Sequence, residues 1–391
     1  MTYKISTDVA SKAVTLIVTV AAARMLPPSD FGVMALAMTT GWLLGVASDA
    51  GLPMYLATRV AQAHGSGRPV YPIARAVLRR RAEFGLIAAV AAMAVSVALV
   101  PLTAFTAFTL IVLHQLFGAM LDTLAHAFRG LGRTDVESTL ALAHRAAVAL
   151  GALTILSLSP SLLGLGVALA VPPLAALLVG HALIRRLTTD GPLFVLTGSR
   201  MLVEVAPLGV GVLLSALYFR CDVYFLQYFH SVETVGLYNA SFRIVDALRL
   251  FPAAVLAVAY PMLCGASDER PLRKLSAWLL AASAVVATAL YFSAPGVLVL
   301  VYGTPFEVGA QALQILAWCL PLFYVNYALT YQLIAWNGQR AYLAITGAAL
   351  LANLAGNALL IPDGGMTGAA LSTLLTELVV LVGGAVALVR R

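Results

Sequence analysis

LGVGVLLSALYFRCDVYFLQYFHSVETVGLYNASFRIVDALRLFPAAVLAVAYP, Leu208 to Pro261, consists of two long apolar segments joined by a short turn near Ser231 and Val232, with charge inside both. Arg220 and Asp222 precede that turn by about as many residues as Arg243 and Asp246 follow it. Two antiparallel helices rising ~1.5 Å per residue would hold all four charges at one depth, ~15–18 Å from the turn and inside a ~30 Å hydrocarbon layer. An Arg or Asp at the centre of a span costs ~2.5–3.5 kcal/mol on insertion scales, so such charges pair with each other or serve a site.

The rest of the chain has the same character. Its 391 residues are 61% hydrophobic and only 10% charged, with a mean hydropathy of +0.94. A soluble domain is nearer half apolar and a quarter charged, so the sequence reads as an all-α, polytopic membrane protein. Twelve apolar segments run at about 5–26, 31–60, 73–100, 102–130, 134–158, 161–186, 201–229, 234–263, 274–301, 306–336, 341–361 and 366–389. Pro53, Pro207 and Pro252 fall inside segments and predict kinks. The first segment lacks a small-residue cleavage site and reads as a retained span. Cys221, Cys264 and Cys319 form neither a disulfide framework nor a metal-ligand spacing. No HExxH-like pattern occurs, and His114 and His126 read as helix-packing residues.

The net charge of +7 is a matter of topology rather than of nucleic-acid binding. Most of the 24 Lys and Arg residues fall in connections on one side, including Arg75, Arg79, Arg80 and Arg81 at the start of the third span, which read as topology and anionic-lipid contact. The opposite connections hold Arg24 alone. Both termini are therefore expected in the cytoplasm. The outward loops are too short for an external catalytic domain, and the inner ones carry neither a DxD motif nor a Gly-rich phosphate loop, which argues against a membrane glycosyltransferase or polymerase.

An internal repeat organises the spans. Gly32 of PSDFGVMALA matches Gly236 of SVETVGLYNA, Gly132 of RGLGRTD matches Gly338 of AWNGQRA, and Gly166 of LGLGVALA matches Gly368 of GMTGAALS, at offsets of 204, 206 and 202 residues. Three near-equal offsets predict two six-helix bundles in parallel orientation, residues 1–190 and 191–391, around a central site.

The stretches ARMLPPSDFGVMALA (Ala23 to Ala37), SDAGLPMYLATR (Ser48 to Arg59), Asp222 to Pro261, Tyr302 to Trp318 and Asn353 to Glu377 resemble the Wzx-type oligosaccharide-lipid flippases of the multidrug/oligosaccharidyl-lipid/polysaccharide (MOP) exporter superfamily. The resemblance implies a V-shaped cavity between two bundles and alternating access. It further implies export of undecaprenyl-pyrophosphate-linked oligosaccharide units across a bacterial cytoplasmic membrane, for O-antigen or exopolysaccharide synthesis. Its implied partners are the lipid-linked glycan, membrane lipids, a polymerase and chain-length machinery. No cofactor is implied, and transport would draw on a proton or sodium gradient or the membrane potential.

Guanidinium binds phosphate in bidentate fashion and stays charged when partly desolvated. Arg249, Arg220 and Arg243, with Arg145 from the first half, are therefore the candidate contacts to pyrophosphate and sugar. Arg220 with Asp246, or Asp222 with Arg243, forms the alternative interhelical clamp, with Asp222 assigned to structure. Asp122 and Arg145 read as a structural pair. Asp8, Lys12 and Asp49 would meet near the inner side, with Asp49 and Glu377 the carboxylates free to carry a coupling ion. Asn353 and Asn357 are expected to bond a neighbouring helix. Tyr218, Tyr224, Tyr228 and Tyr238 suit sugar stacking or an interfacial belt. The competing reading is an ion-coupled drug or cation antiporter of the same superfamily, which would favour carboxylates over several arginines in its cavity.

Overall fold

The computed structural model describes residues 2–49, 51–189, 191, 198–249, 251, 252, 255, 270–336 and 338–389. It is helical, with no strand among those residues. Seven of the described helices are long and apolar enough to cross a membrane, or eight if one bent pair counts as a single span. The protein is a multi-pass membrane protein. It divides into two compact units, Met1–Gly209 and Val210–Arg391.

The first unit contains α1 (Thr2–Met25), α2 (Pro28–Ala47), α3 (Leu52–Gly65), α4 (Tyr71–Leu99), α5 (Leu102–Gly130), α6 (Thr134–Leu158) and α7 (Leu162–Leu187). The single apolar segment expected at 31–60 is two helices. Gly51 sits between them with φ 73°, a left-handed conformation that favours glycine, and Pro53 occupies the first turn of α3, where a missing N–H costs nothing. Helix α5 packs on α7, α2 and α3. Where α7 crosses α5, a β-carbon on Gly166 would stand 3.1 Å from Leu110 Cβ and 3.3 Å from the Ala107 carbonyl oxygen, so the small residue sets the helix spacing. A core cluster of Leu56, Val60, Val77, Leu124, Phe128 and Ile184 joins α3, α4, α5 and α7.

The second unit continues with α8 (Gly198–Arg220), which begins in the first, then α9 (Asp222–Phe229), α10 (Val232–Leu248), α11 (Arg270–Tyr302), a 3-10 turn (Thr304–Gly309), α12 (Ala310–Ala317), α13 (Cys319–Ala335) and α14 (Gln339–Val389). The segment expected at 201–229 runs on through Cys221, whose backbone stays helical at φ −73° and ψ −18°, and the one at 306–336 is bent by 43° between α12 and α13. Helix α14 has 51 residues, ~77 Å if straight and far longer than a ~30 Å hydrocarbon core. It breaks at Gly365, φ 50° and ψ −127°, into the two spans expected at 341–361 and 366–389. Residues 256–263, the end of the expected eighth segment, lie outside the described residues.

Candidate functional site: a charged cavity in the C-terminal unit

The hairpin of α8, α9 and α10 turns where expected. Ser231 takes an extended conformation and its hydroxyl accepts the Thr234 N–H at 3.2 Å, capping α10. Asp222 opens α9 and is 1% exposed. Its Oδ1 accepts the Val223 N–H at 2.8 Å, one of the donors a helix start leaves unpaired, and its Oδ2 accepts the Tyr238 hydroxyl at 2.6 Å. Arg220 donates to Asn239 Oδ1 at 2.6 Å and lies 4.6 Å from the Phe242 ring centroid. Neither expected clamp, Arg220–Asp246 nor Asp222–Arg243, forms. The register sets Arg220 and Asp222 against Tyr238 and Asn239, one helical turn nearer the connection than Arg243 and Asp246. Counted from Ser231, Arg220 and Asp222 lie 11 and 9 residues before the turn and Arg243 and Asp246 lie 12 and 15 after it, so the charges expected to pair sit three to four residues, about one helical turn, out of register.

Asp246 instead approaches Arg249, at 3.7 Å. Arg243 has Arg220, Asp246 and Tyr302 around it, and its Nε has no hydrogen-bond partner among the described residues. Arg249 caps the C-terminal end of α10, its N–H reaching the Val245 carbonyl at 3.2 Å, so its side chain projects beyond the helix. There the guanidinium lies between two rings, 4.0 Å from the Phe219 centroid and 4.2 Å from that of Phe323. Tyr327 is the third wall, with its centroid at 5.3 Å and its hydroxyl accepting from Nη2 at 3.0 Å.

Arg249 forms one side of a cavity of about 140 Å³, whose other polar walls include Tyr218, Asn326, Tyr327, Tyr342 and Glu377. Glu377, expected to lack a partner, has one: Asn326 Nδ2 donates to its Oε2 at 2.7 Å and to its backbone carbonyl at 2.9 Å. Asn326 pins the carboxylate because it sits on α13 directly across from the second half of α14. Nearby, Asn353 donates to Thr376 in the second half of α14 at 3.0 Å, and Asn357 donates to Cys221 Sγ at 3.5 Å, so both bond a neighbouring segment as expected. Tyr238 is fully buried and Tyr228 exposed, so the four tyrosines serve different ends.

The residues sequence reasoning missed are Phe219, Phe323, Asn326, Tyr327 and Tyr342. Phe323, Asn326 and Tyr327 follow the i, i+3, i+4 rule of one helix face, but that pattern is common in apolar helices and singles out nothing without Arg249 opposite.

The first unit holds the remaining charges. Asp49 was expected to be free; it pairs with Arg81 at 3.3 Å and its Oδ1 accepts the Gly51 N–H at 3.0 Å. Arg81, read as part of a lipid-facing basic cluster, is 3% exposed and also donates to the Gly45 carbonyl at 3.3 Å. The helix phase of α4 turns it inward, while Arg79 and Arg80 stay exposed and pair with Glu83. Asp122 has Arg145, Arg81 and Arg129 as cationic neighbours, with Arg145 foremost. Arg129 grips Glu137 with two nitrogens at 2.6–3.0 Å, tying α5 to α6. His114 bonds the Leu169 carbonyl at 2.8 Å and His126 that of Asp122 at 2.8 Å, both as packing residues. Cys221 and Cys319 are free and buried. The side chains of Asp8 and Lys12, and all of Cys264, lie outside the described residues.

No curated protein matches the sequence. Among solved structures, the inward-facing form of a multidrug resistance MATE family transporter of the MOP superfamily is similar, with a TM-score of 0.71 at 15% identity over 97% of this chain and 94% of that one. The lipid II flippase MurJ in an inward closed conformation gives a TM-score of 0.68 at 12% identity over 99% and 87%. A MOP superfamily transporter from Pyrococcus furiosus, reported for the reverse polarity of its binding pocket, gives 0.64 at 13% identity over 99% and 93%. The fold is the twelve-helix, two-lobe fold of these proteins. Residues 1–266, more than half of the chain, match the family of polysaccharide biosynthesis proteins, and the chain belongs to that family.

Proposed function

We propose that the protein is a flippase that moves polyprenyl-pyrophosphate-linked oligosaccharide units, in a bacterium the undecaprenyl form, from the cytoplasmic to the outer leaflet of the cytoplasmic membrane. In this reading it acts by alternating access, is not an enzyme, has both termini inside, and is driven by an ion gradient or the membrane potential. Membership of the polysaccharide biosynthesis family supports a glycan cargo. One observation carries the chemistry: Arg249 stands in the wall of an aromatic, hydroxyl-rich cavity inside a membrane bundle. A planar guanidinium suits a phosphate oxygen, and tyrosine suits a sugar. In this reading Arg249 contacts the pyrophosphate. Arg220, held by Asn239, and Arg243 add positive charge on the same hairpin, and Arg145 does so from the first unit. Asp222 is structural, and Asp246 balances Arg249.

Glu377 in the cavity is the feature that favours the drug or cation antiporter, but Arg249 in the same cavity opposes a cationic cargo. Deletion of the gene followed by analysis of cell lipids separates the two. Accumulation of a lipid-linked repeat unit on the cytoplasmic side, reversed by the wild-type gene, is the expected result. Unchanged glycolipids with altered resistance to cationic dyes would favour the antiporter.

A further inference from the structure

One end of the first unit gathers arginines that have no acid to pair with. Of the four that open α4, Arg81 is turned inward to Asp49, and Arg79 and Arg80 share Glu83, which leaves Arg75. Arg68 precedes it on the turn between α3 and α4, and Arg185 and Arg186 stand in the last turn of α7. All four are exposed, and none forms an ion pair among the described residues. The fold brings these three stretches together. The Tyr71 hydroxyl and His181 Nε2 share a hydrogen bond of 3.1 Å, Ile184 packs in one core cluster with Tyr71 and Ala74, and a β-carbon on Gly191 would stand 2.7 Å from Pro69 Cγ. Topology accounts for positive charge on this side of the membrane, but it does not require that unpaired cations far apart in sequence meet at one helix junction.

From the arginines inward, each helix is apolar and bare on one side. On α4, the exposed Leu86, Val90 and Val97 follow Arg75 at i+11, i+15 and i+22, and on α7 the exposed Leu178, Leu174 and Val167 precede Arg185 at i−7, i−11 and i−18. Those spacings keep one helix face, so each helix carries a stripe with a cation at one end and apolar side chains for ~27–33 Å, about the thickness of the hydrocarbon layer. A free phosphate or an acidic protein segment would use the arginines and leave the stripes uncovered. A phospholipid uses both, because its phosphate oxygens accept bidentate bonds from guanidinium and its acyl chains cover the apolar faces. Two stripes and four unpaired cations suit a headgroup with two phosphates and four chains, whereas a single phosphate would leave most of the charge uncompensated. The proposed cargo also carries two phosphates, but its one chain is enough for one stripe only.

We propose that this corner of the first unit is a docking site for a two-phosphate, four-chain phospholipid of the cardiolipin class, its headgroup held by Arg68, Arg75, Arg185 and Arg186 and its chains lying along α4 and α7. With both termini inside, as in the flippase reading, the leaflet is the cytoplasmic one. The docking itself does not depend on the identity of the cargo.

The test titrates the full chain, purified in a neutral detergent at ~150 mM salt, and reads the rise in its thermal midpoint. The probes are tetraoleoyl cardiolipin, dioleoylphosphatidylglycerol, undecaprenyl pyrophosphate and inorganic pyrophosphate. Cardiolipin is expected to half-saturate at a concentration roughly tenfold lower than phosphatidylglycerol, counted per phosphate. Arg75→Gln and Arg185→Gln should each raise that concentration roughly fivefold, the effect of one cation at a membrane surface. Arg133→Gln, at the same end of the unit but paired with Asp135 at 2.9 Å, should leave it unchanged. Where a Gln variant fails to insert, the Lys variant at that position keeps the topological charge, loses the bidentate fork and should still weaken binding roughly twofold. Equal half-saturation by the two phospholipids, or equal weakening by Arg133→Gln, would overturn the site and leave ordinary surface contact. Saturation by inorganic pyrophosphate at the same concentration would mean an anion site without lipid, and tighter binding of undecaprenyl pyrophosphate than of cardiolipin would reassign the corner to the cargo.

Discussion

Replacing Arg249 by Lys keeps the positive charge and removes the plane. In the wild type the guanidinium is sandwiched 4.0 Å from the Phe219 centroid and 4.2 Å from that of Phe323, and donates to the Tyr327 hydroxyl at 3.0 Å. An ammonium can lie over one of those rings but not between both while also reaching Tyr327. The lost stack is worth ~0.5–2 kcal/mol and the lost charged hydrogen bond ~1.5–3 kcal/mol. A loss of about 2 kcal/mol, the low end of their sum, is roughly 30-fold in transport. The side chain is only 14% exposed, so Arg249→Ala is the harsher change, leaving the Asp246 carboxylate without its partner at 3.7 Å. Transport is read as the rate at which a lipid-linked glycan probe becomes accessible on the far side of proteoliposomes, normalised to the amount of reconstituted protein. The expected order is wild type, then Lys about 30-fold lower, then Ala lower still, with the Lys variant present at normal levels. A Lys variant working at more than half the wild-type rate would mean that the plane is dispensable, and phosphate recognition by Arg249 would fall. If both variants are absent from the membrane, the guanidinium is structural.

A β-carbon on Gly368 would run into the carbonyl oxygen of Leu360 and stand 3.0 Å from the Ile361 nitrogen, so Gly368→Ala should cost ~1–3 kcal/mol and lower the thermal midpoint of the detergent-purified protein. Gly364→Ala meets only the Thr367 hydroxyl, at 3.8 Å, and equal loss in the two variants would count against the packing argument. Arg81→Ala removes a buried link from α4 to Asp49 and the Gly45 carbonyl, and should lower thermal stability by ~1–3 kcal/mol. Arg80→Ala, on the exposed face of the same helix, should be near neutral, and identical melting of the two would refute the inward placement of Arg81.

Class, span pattern and the charged hairpin were legible in the sequence because they follow from local quantities. The apolar composition requires hydrocarbon, Ser231 caps the helix that follows it, and the small Gly166 marks where α7 crosses α5. Partners were not legible, because they depend on helix phase and register. Arg220 and Asp222 found Asn239 and Tyr238 rather than the charges expected, which lie about one helical turn further from the connection. Arg81 looked like one of four surface cations until the phase of α4 turned it inward to Asp49. Arg249 could be named from sequence as one of three arginines in this hairpin. Only the folded C-terminal unit could bring Phe219, Phe323 and Tyr327 around it and set Glu377 across the cavity, because those side chains come from helices far apart in sequence and meet only by packing.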